Sequence, residues 1–298
     1  MIYAAIDIGS NAGRLLVATV HDINGKIITE KITLVRVPLR LGFDVFEKGY
    51  ITPEKQDLLI NTFDAYKQLM NIYEPVDYIA CATAAMREAE NAHEVLERVK
   101  NEAGVNLITI NGQQEAEIIS SAGNANLEKP HLHSLYIDVG GGSTEISWFE
   151  GDKLLSTKSF KIGTIRLLHD LVAKSEWDDM KEWVKDLHDA ETPINCICSG
   201  GNINKLTKLY GNRTKNTLSY SQLVEAHEYL EGYSIEDRME ILGFRADRAD
   251  VIIPAAIIFK KLMKWAKIQE IQAPKIGLAD GLIVELYKKG KNLPTVFL

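Results

Sequence analysis

The chain has 298 residues, 46% hydrophobic and 25% charged, which is enough apolar material for two cores and excludes a disordered polymer. Its 41 acidic and 34 basic residues leave a net charge of -7, which argues against non-specific nucleic-acid binding, since that relies on a basic face. Three cysteines without framework spacing exclude a disulfide scaffold and point to buried thiols in a reducing cytoplasm, and no apolar stretch, Val251 to Phe259 included, approaches the ~20 residues of a membrane span.

The opening MIYAAIDIGS has no basic n-region or small-residue cleavage site, so it does not read as a signal peptide. Ile2 to Ile8 is a nearly continuous apolar run that predicts a buried strand. Arg14 to His21 and Lys26 to Val37 predict two more strands, parted by a hairpin turn at Asn24-Gly25. At Thr52-Pro53-Glu54 the period changes to that of a helix, with Thr52 as its cap and Pro53 in first position. A strand is expected over Val76 to Cys81, a helix over Asn91 to Ala103, a strand over Val105 to Ile110 and a helix over Gln113 to about Asn126.

The pattern then restarts. Leu135 to Val139, Ser143 to Phe149 and Lys153 to Lys161 predict strands, and Gly163 to Val172 and Glu176 to Ala190 predict helices. Ile194 to Ser199 predicts a strand, and the remainder of the chain is mainly helical apart from a short strand near Ile271. Two tandem βββαβα-like halves emerge, each opening with a strand that ends Asp-x-Gly. The boundary falls near Ala125 to His133, giving a first lobe of residues 1–124 and a second of 125–298, with a last helix, about Asp280 to Lys289, that packs back on the first. Cys196 and Cys198 share one side of their strand, but no second Cys or His pair lies nearby to complete a metal site.

Four turns follow buried strands, where an open α/β sheet places its ligands. In Asp7-Ile8-Gly9-Ser10-Asn11, glycine lets the backbone approach an anion, and Ser10 and Asn11 add donors. Asp7 is no anion donor and suits a divalent metal or a water. In Asp138-Val139-Gly140-Gly141-Gly142-Ser143-Thr144-Glu145, three successive glycines exceed what a tight turn needs, and the loop repeats the first one's Asp-x-Gly pattern. Ser199-Gly200-Gly201-Asn202 leads from a strand into a helix N-terminus, which either binds an anion or is an ordinary cap. Ala82-Thr83-Ala84-Ala85-Met86-Arg87 carries one cation, Arg87, suited to bidentate phosphate contact. Glu115 and Glu117 open a helix, where a carboxylate either favours the helix dipole or orients water.

Taken together, AAIDIGSN, ATAAMREAEN, NGQQEAE, YIDVGGGSTEIS, KIGTIRL, CSGGNINKL and RADVIIPAAIIF resemble, in order and over nearly the whole chain, the exopolyphosphatase and guanosine pentaphosphate phosphohydrolase family. That family is a branch of the actin, hexokinase and heat-shock chaperone ATPase superfamily. The resemblance implies an α/β fold of two ribonuclease-H-like lobes with an interlobe cleft, and Mg²⁺-assisted hydrolysis of a terminal phosphoanhydride on polyphosphate or a guanosine polyphosphate. By position it makes Glu115 the catalytic base and Asp138 and Glu145 the metal- and water-positioning carboxylates. It puts Gly140, Gly141, Gly142, Ser143 and Thr144 in the phosphate loop, with Asp7, Gly9, Ser10, Asn11 and Arg87 binding phosphate from the first lobe. The Ser199-Gly200-Gly201 turn joins them as a further phosphate contact.

The sequence departs from the family at three places. Ala12 stands for a hydroxyl residue, Glu117 for an Arg, and Gly277-Leu278-Ala279-Asp280-Gly281 for Gly-Leu-Arg-Glu-Gly. Two cations are thus missing, and the chain ends where longer members carry helical domains that extend the polymer channel, so short chains or a nucleotide tetra- or pentaphosphate are the expected substrates. Members often pair as homodimers, but no exposed stripe in this sequence marks an interface. Two other readings stay open: an ATP-dependent kinase or ATPase of the superfamily, and a polyphosphate or alarmone sensor that keeps the site without turnover.

Overall fold

The computed structural model describes residues 1–124, 133–151, 153–187, 194–295 and 298. Two compact units compose it, Met1–Leu127 with Gly277–Leu298 and Glu128–Ile276. The lobe boundary expected near 125–133 falls mainly on residues outside the described ones.

In the first unit, β1 (Ile2–Ile8), β2 (Gly13–Ile23) and β3 (Lys26–Val37) form an antiparallel meander. The connecting Asn24-Gly25 has both residues at positive φ (55° and 79°), the geometry of a two-residue hairpin turn. Between β3 and β4 (Asp77–Ala82) lie α1 (Leu41–Lys48) and α2 (Pro53–Tyr73). Next come α3 (Ala84–Glu88), α4 (Ala92–Arg98) running on into a π turn at Val99–Ala103, β5 (Leu107–Thr109) and α5 (Gly112–Asn124). Strands β4 and β5 run parallel to β1 and complete the order β3-β2-β1-β4-β5. Central β1 is covered on both faces, which is why its sequence reads as an unbroken apolar run. Its even-numbered side chains meet Leu59, Phe63, Tyr66 and Met70 of α2.

Helix α2 starts where expected, but Thr52 does not cap it with its side chain. The Thr52 hydroxyl instead donates to Asp44 Oδ2 at 2.6 Å, and Lys48 Nζ donates to Asp44 Oδ1 at 3.2 Å. Burial raises the Asp44 pKa, yet these bonds outweigh it and hold the carboxyl below its ordinary value. Asp44 belongs to α1, a helix that no expectation covered.

In the second unit, β6 (His133–Val139), β7 (Thr144–Glu150) and β8 (Lys153–Phe160) repeat the meander. The chain continues through α6 (Thr164–Leu168), α7 (Lys174–Asp186), β9 (Asn195–Ser199) and α8 (Gly201–Tyr210). After β10 (Thr217–Ser219) come α9 (Tyr220–Glu231), α10 (Ile235–Glu240), α11 (Ala246–Ala249), α12 (Ile252–Trp265) and β11 (Glu270–Gln272). The sheet order is β10-β11-β9-β6-β7-β8. Helix α6 is shorter than expected because Asp170 takes a positive φ of 56°, which a helix cannot continue through. The expected end of α7 at 188–190 lies outside the described residues. Among the described residues no helix is long and apolar enough to cross a membrane.

The last helix, α13 (Leu278–Gly290), rejoins the first unit. Leu282, Ile283, Leu286 and Tyr287 pack with Tyr3, Ala5 and Ile118 on the face of the sheet opposite α2. Asp280 fixes its start by accepting from Gly277 N–H at 3.0 Å and pairing with Lys31 at 2.7 Å. A Cβ at Gly281 would stand 2.2 Å from the Ile118 carbonyl oxygen, so the α13–α5 contact depends on a bare backbone there. Gly281→Ala must therefore part the two helices and should lower unfolding free energy by about 1–3 kcal/mol, the usual cost of overpacking, measured by urea denaturation. An unchanged midpoint would refute the close contact.

Candidate active site

The β1–β2 turn is closed by Gly9 N–H donating to Ala12 O at 3.1 Å. Its carbonyls are turned toward the start of α1, Ser10 O accepting from Gly42 N–H at 2.8 Å and Asn11 O from Arg40 N–H at 3.0 Å. A peptide group is planar and trans, so a carbonyl aimed one way sends the next N–H the other way. The amides of Asn11 and Ala12 therefore face away from α1. Asp7, at the end of β1, is buried and ion-paired with Arg14 Nη1 at 2.7 Å. The two are directly opposed across the hairpin.

Arg87 on α3 donates from Nη1 to the Ile110 carbonyl at 2.9 Å, which anchors its half-buried side chain at the C-terminal end of β5. At the start of α5, Asn111 and Gln114 cap reciprocally, Gln114 N–H to Asn111 Oδ1 at 2.9 Å and Asn111 N–H to Gln114 Oε1 at 3.0 Å. This fixes Glu115 in the first turn, buried at 8% exposure. Glu117 accepts from Gln113 at 2.9 Å on the same helix. Burial, then the negative charges of Asp7 and Glu115, push the Cys81 thiol up to about 12. Glu115 and Asp7 thus act on one point of the sheet, at the carboxyl ends of β1 and β4.

The second unit repeats the device. Gly140 N–H donates to Ser143 O at 2.9 Å and closes the β6–β7 turn. Gly140 O accepts from Thr164 N–H (3.0 Å), Gly141 O from Ile165 N–H (2.9 Å) and Gly142 O from Arg166 Nε (2.7 Å). By the same planarity, the amides of Gly141, Gly142 and Ser143 point away from α6 in succession. The Thr144 hydroxyl is committed inward, donating to Ile162 O at 2.5 Å. Gly163 admits this packing, since a Cβ there would lie 2.3 Å from the Gly141 oxygen.

Asp138 and Glu145 face each other across β6 and β7. Each has one carboxylate oxygen oriented by a serine: Ser199 Oγ donates to Asp138 Oδ1, and Ser159 Oγ to Glu145 Oε1 at 2.7 Å. Gly200, between Ser199 and α8, has φ +108°, a conformation that favours glycine. Gly201 O accepts from Arg248 Nη1 of α11. Each unit thus gathers its expected residues at the carboxyl end of its sheet. Arg14, Gly163, Arg166 and Arg248 were not singled out from the sequence. Arg14 was legible in principle, because a turn over 9–12 pairs residue 7 with residue 14.

A model of the Ppx/GppA phosphatase family matches residues 17–290. Exopolyphosphatase 1 of Mycobacterium tuberculosis is 28% identical over 311 residues, covering 95% of this chain and 88% of that protein. The guanosine-5'-triphosphate,3'-diphosphate pyrophosphatase of Aliivibrio fischeri is 25% identical over 304 residues, 96% of this chain and 60% of that protein. Among solved structures, a Ppx/GppA family member from Aquifex aeolicus is similar with a TM-score of 0.76 and 25% identity, over 97% of this chain and 98% of that one. An exopolyphosphatase from Cytophaga hutchinsonii reaches a TM-score of 0.82 at 22% identity, over 99% of both chains. The mixed α/β architecture is the actin-like one that these proteins share.

The Cys81 thiol gives the site a measurable sign. Its pKa is raised above the ordinary 9, so its contribution to stability is intact below pH 9 and is lost as pH rises toward 12. Between pH 8.5 and 10.5 the urea-unfolding free energy should fall more steeply in the parent than in Cys81→Ala, by about 1 kcal/mol per pH unit. Equal slopes would remove the thiol from its buried, negatively charged setting.

Proposed function

The chain belongs to the Ppx/GppA phosphatase family, and from that premise we propose that it releases the terminal phosphate of a short inorganic polyphosphate or of guanosine pentaphosphate to water. The observation that carries this reading is the β6–β7 turn, where three successive amides point away from α6 beside the Asp138–Glu145 pair and suit an anion. Polyphosphate hydrolysis comes from the name of the Mycobacterium relative, and the guanosine nucleotide from that of the Aliivibrio one.

Asp138 and Glu145 suit Mg²⁺: both are hard oxygen donors, and each is held by a serine hydroxyl in the manner of an oriented metal ligand. When bound, Mg²⁺ supplies charge neutralisation at the scissile bridge. The amides of Gly141, Gly142 and Ser143 hold the terminal phosphate, and those of Asn11 and Ala12, with Arg87, hold its neighbour from the first unit. Glu115 orients a water and takes its proton as the oxygen attacks phosphorus. The bridging P–O bond breaks, and the oxygen of the shortened chain leaves with the electron pair. The turns bring main-chain dipoles to a dianionic group, which a protein of net charge -7 needs in place of a broad cationic surface. Three buried free thiols fit a reducing compartment, and the cytoplasm is the proposed location.

Phosphate release from tripolyphosphate and guanosine pentaphosphate should require Mg²⁺ and stop on adding a chelator. Glu115→Gln should lower kcat by at least about a hundredfold with KM within threefold, as loss of a general base does. Binding of both substrates without release of phosphate would overturn the hydrolase reading, and a loss under threefold would remove Glu115 from its role.

A further inference from the structure

His227 lies toward the C-terminal end of α9 and is buried at 5% exposure. Its Nε2 is buried and has no hydrogen-bond partner among the described residues. Its Nδ1 has two groups in reach: the Lys260 ammonium of α12 at 3.1 Å and the Glu231 carboxylate, one turn along α9, at 3.3 Å. An ammonium only donates and a carboxylate only accepts, so one nitrogen cannot bond both in a single protonation state. Toward Lys260, Nδ1 must be bare, which puts the proton of the neutral ring on Nε2. Toward Glu231, Nδ1 must carry a proton. A neutral ring protonated on Nδ1 would strand the half-buried Lys260 ammonium, which has no other hydrogen-bond or ion-pair partner among the described residues.

Few charges act on this ring. Burial first, then Lys260, favour its neutral form, Glu231 and Glu228 favour the charged one, and the sum holds the His227 pKa below the ordinary 6.5. Helix α8 and strand β10 also pack on α9, and among the described residues they bring no charge to bear on the ring. The last turn of α9 holds no basic residue, so a cation at position 227 would also gain from the dipole at that helix end. The two protonation states are thus each provided with a partner, one on α12 and one on α9 itself.

We infer that His227 is an acid switch at the α9–α12 contact. Neutral, it accepts from Lys260 and links the two helices. Protonated, it donates Nδ1–H to Glu231 on its own helix and repels the Lys260 ammonium, so the link is lost. Because the native pKa is lowered, the stability that the neutral ring contributes is intact above pH 6.5 and is lost as pH falls through the lower native value. Helix α12 packs on α6 as well, and α6 amides hold the Gly140 and Gly141 carbonyls. The released contact therefore lies one helix away from the β6–β7 turn. The switch stands on the ring and its two partners and does not rest on the hydrolase reading.

NMR titration of the histidine ring signals of the full chain, with His227→Gln to assign the resonance, tests this. His227 should titrate below the ordinary value. Lys260→Met should move that titration up and Glu231→Gln should move it down, because the two groups oppose each other at one nitrogen. In urea unfolding between pH 7 and pH 5, the folding constant of the parent should drop at least about threefold more than that of His227→Gln, whose amide keeps an acceptor for Lys260 and takes up no proton. At pH 5.5 the α9 and α12 amides of the parent should exchange with solvent faster than those of His227→Gln. Shifts of the same sign in the two partner variants, a native titration above the ordinary value, or equal acid loss and equal exchange in parent and His227→Gln would each overturn the switch.

Discussion

A peptide plane has two ends, and fixing one fixes the other. Both Asp-x-Gly turns of this protein exploit that constraint. Carbonyls 10 and 11 are tied to the start of α1, and carbonyls 140 to 142 to α6 and Arg166, so the intervening amides have one direction left. The bonds that hold each loop against its own unit are also what aim its donors. Such donors need no reorganisation when charge arrives, which is where electrostatic stabilisation gains most over solvent. Gly163 matters for the same reason: it lets α6 come close enough to take the Gly141 carbonyl.

The acidic character of the chain and its phosphate chemistry are compatible on these terms. Main-chain amides carry partial positive charge without raising net charge, and cations near the turns have partners of their own. Arg14 is balanced by Asp7, and Arg87 is anchored on a carbonyl. A carboxylate pair such as Asp138 and Glu145 would repel a phosphate, and under the proposed function a divalent cation between them would offset that repulsion.

Much of this was legible in the sequence, and the features that escaped it have physical reasons. The three-glycine turn and the repeated Asp-x-Gly strands were readable because glycine at successive positions is costly unless a backbone must be approached. Helix α1 escaped notice because it is short, contains Gly42 and begins after Arg40 in a left-handed conformation, φ 54°. Thr52 looked like a cap, yet Asp44, eight residues earlier and in that unseen helix, claimed its hydroxyl. Strand β10 has three residues, too few for alternation to show, whereas β11, equally short, lies where a strand was expected near Ile271. Arg166 and Arg248 act on loop carbonyls distant in sequence, contacts that no local pattern encodes.

The return of α13 to the first unit also orders events during synthesis. Residues 278–290 fill the face of the first sheet that carries Tyr3, Ala5 and Leu16, and they leave the ribosome after the whole of the second unit. At about 5–20 residues per second, that face waits on the order of ten seconds for its cover. The second unit has all its strands by then and can form first, so the N-terminal unit, although made earlier, is completed last. A nascent chain arrested before Gly277 would expose an apolar sheet face, a natural point for chaperone capture.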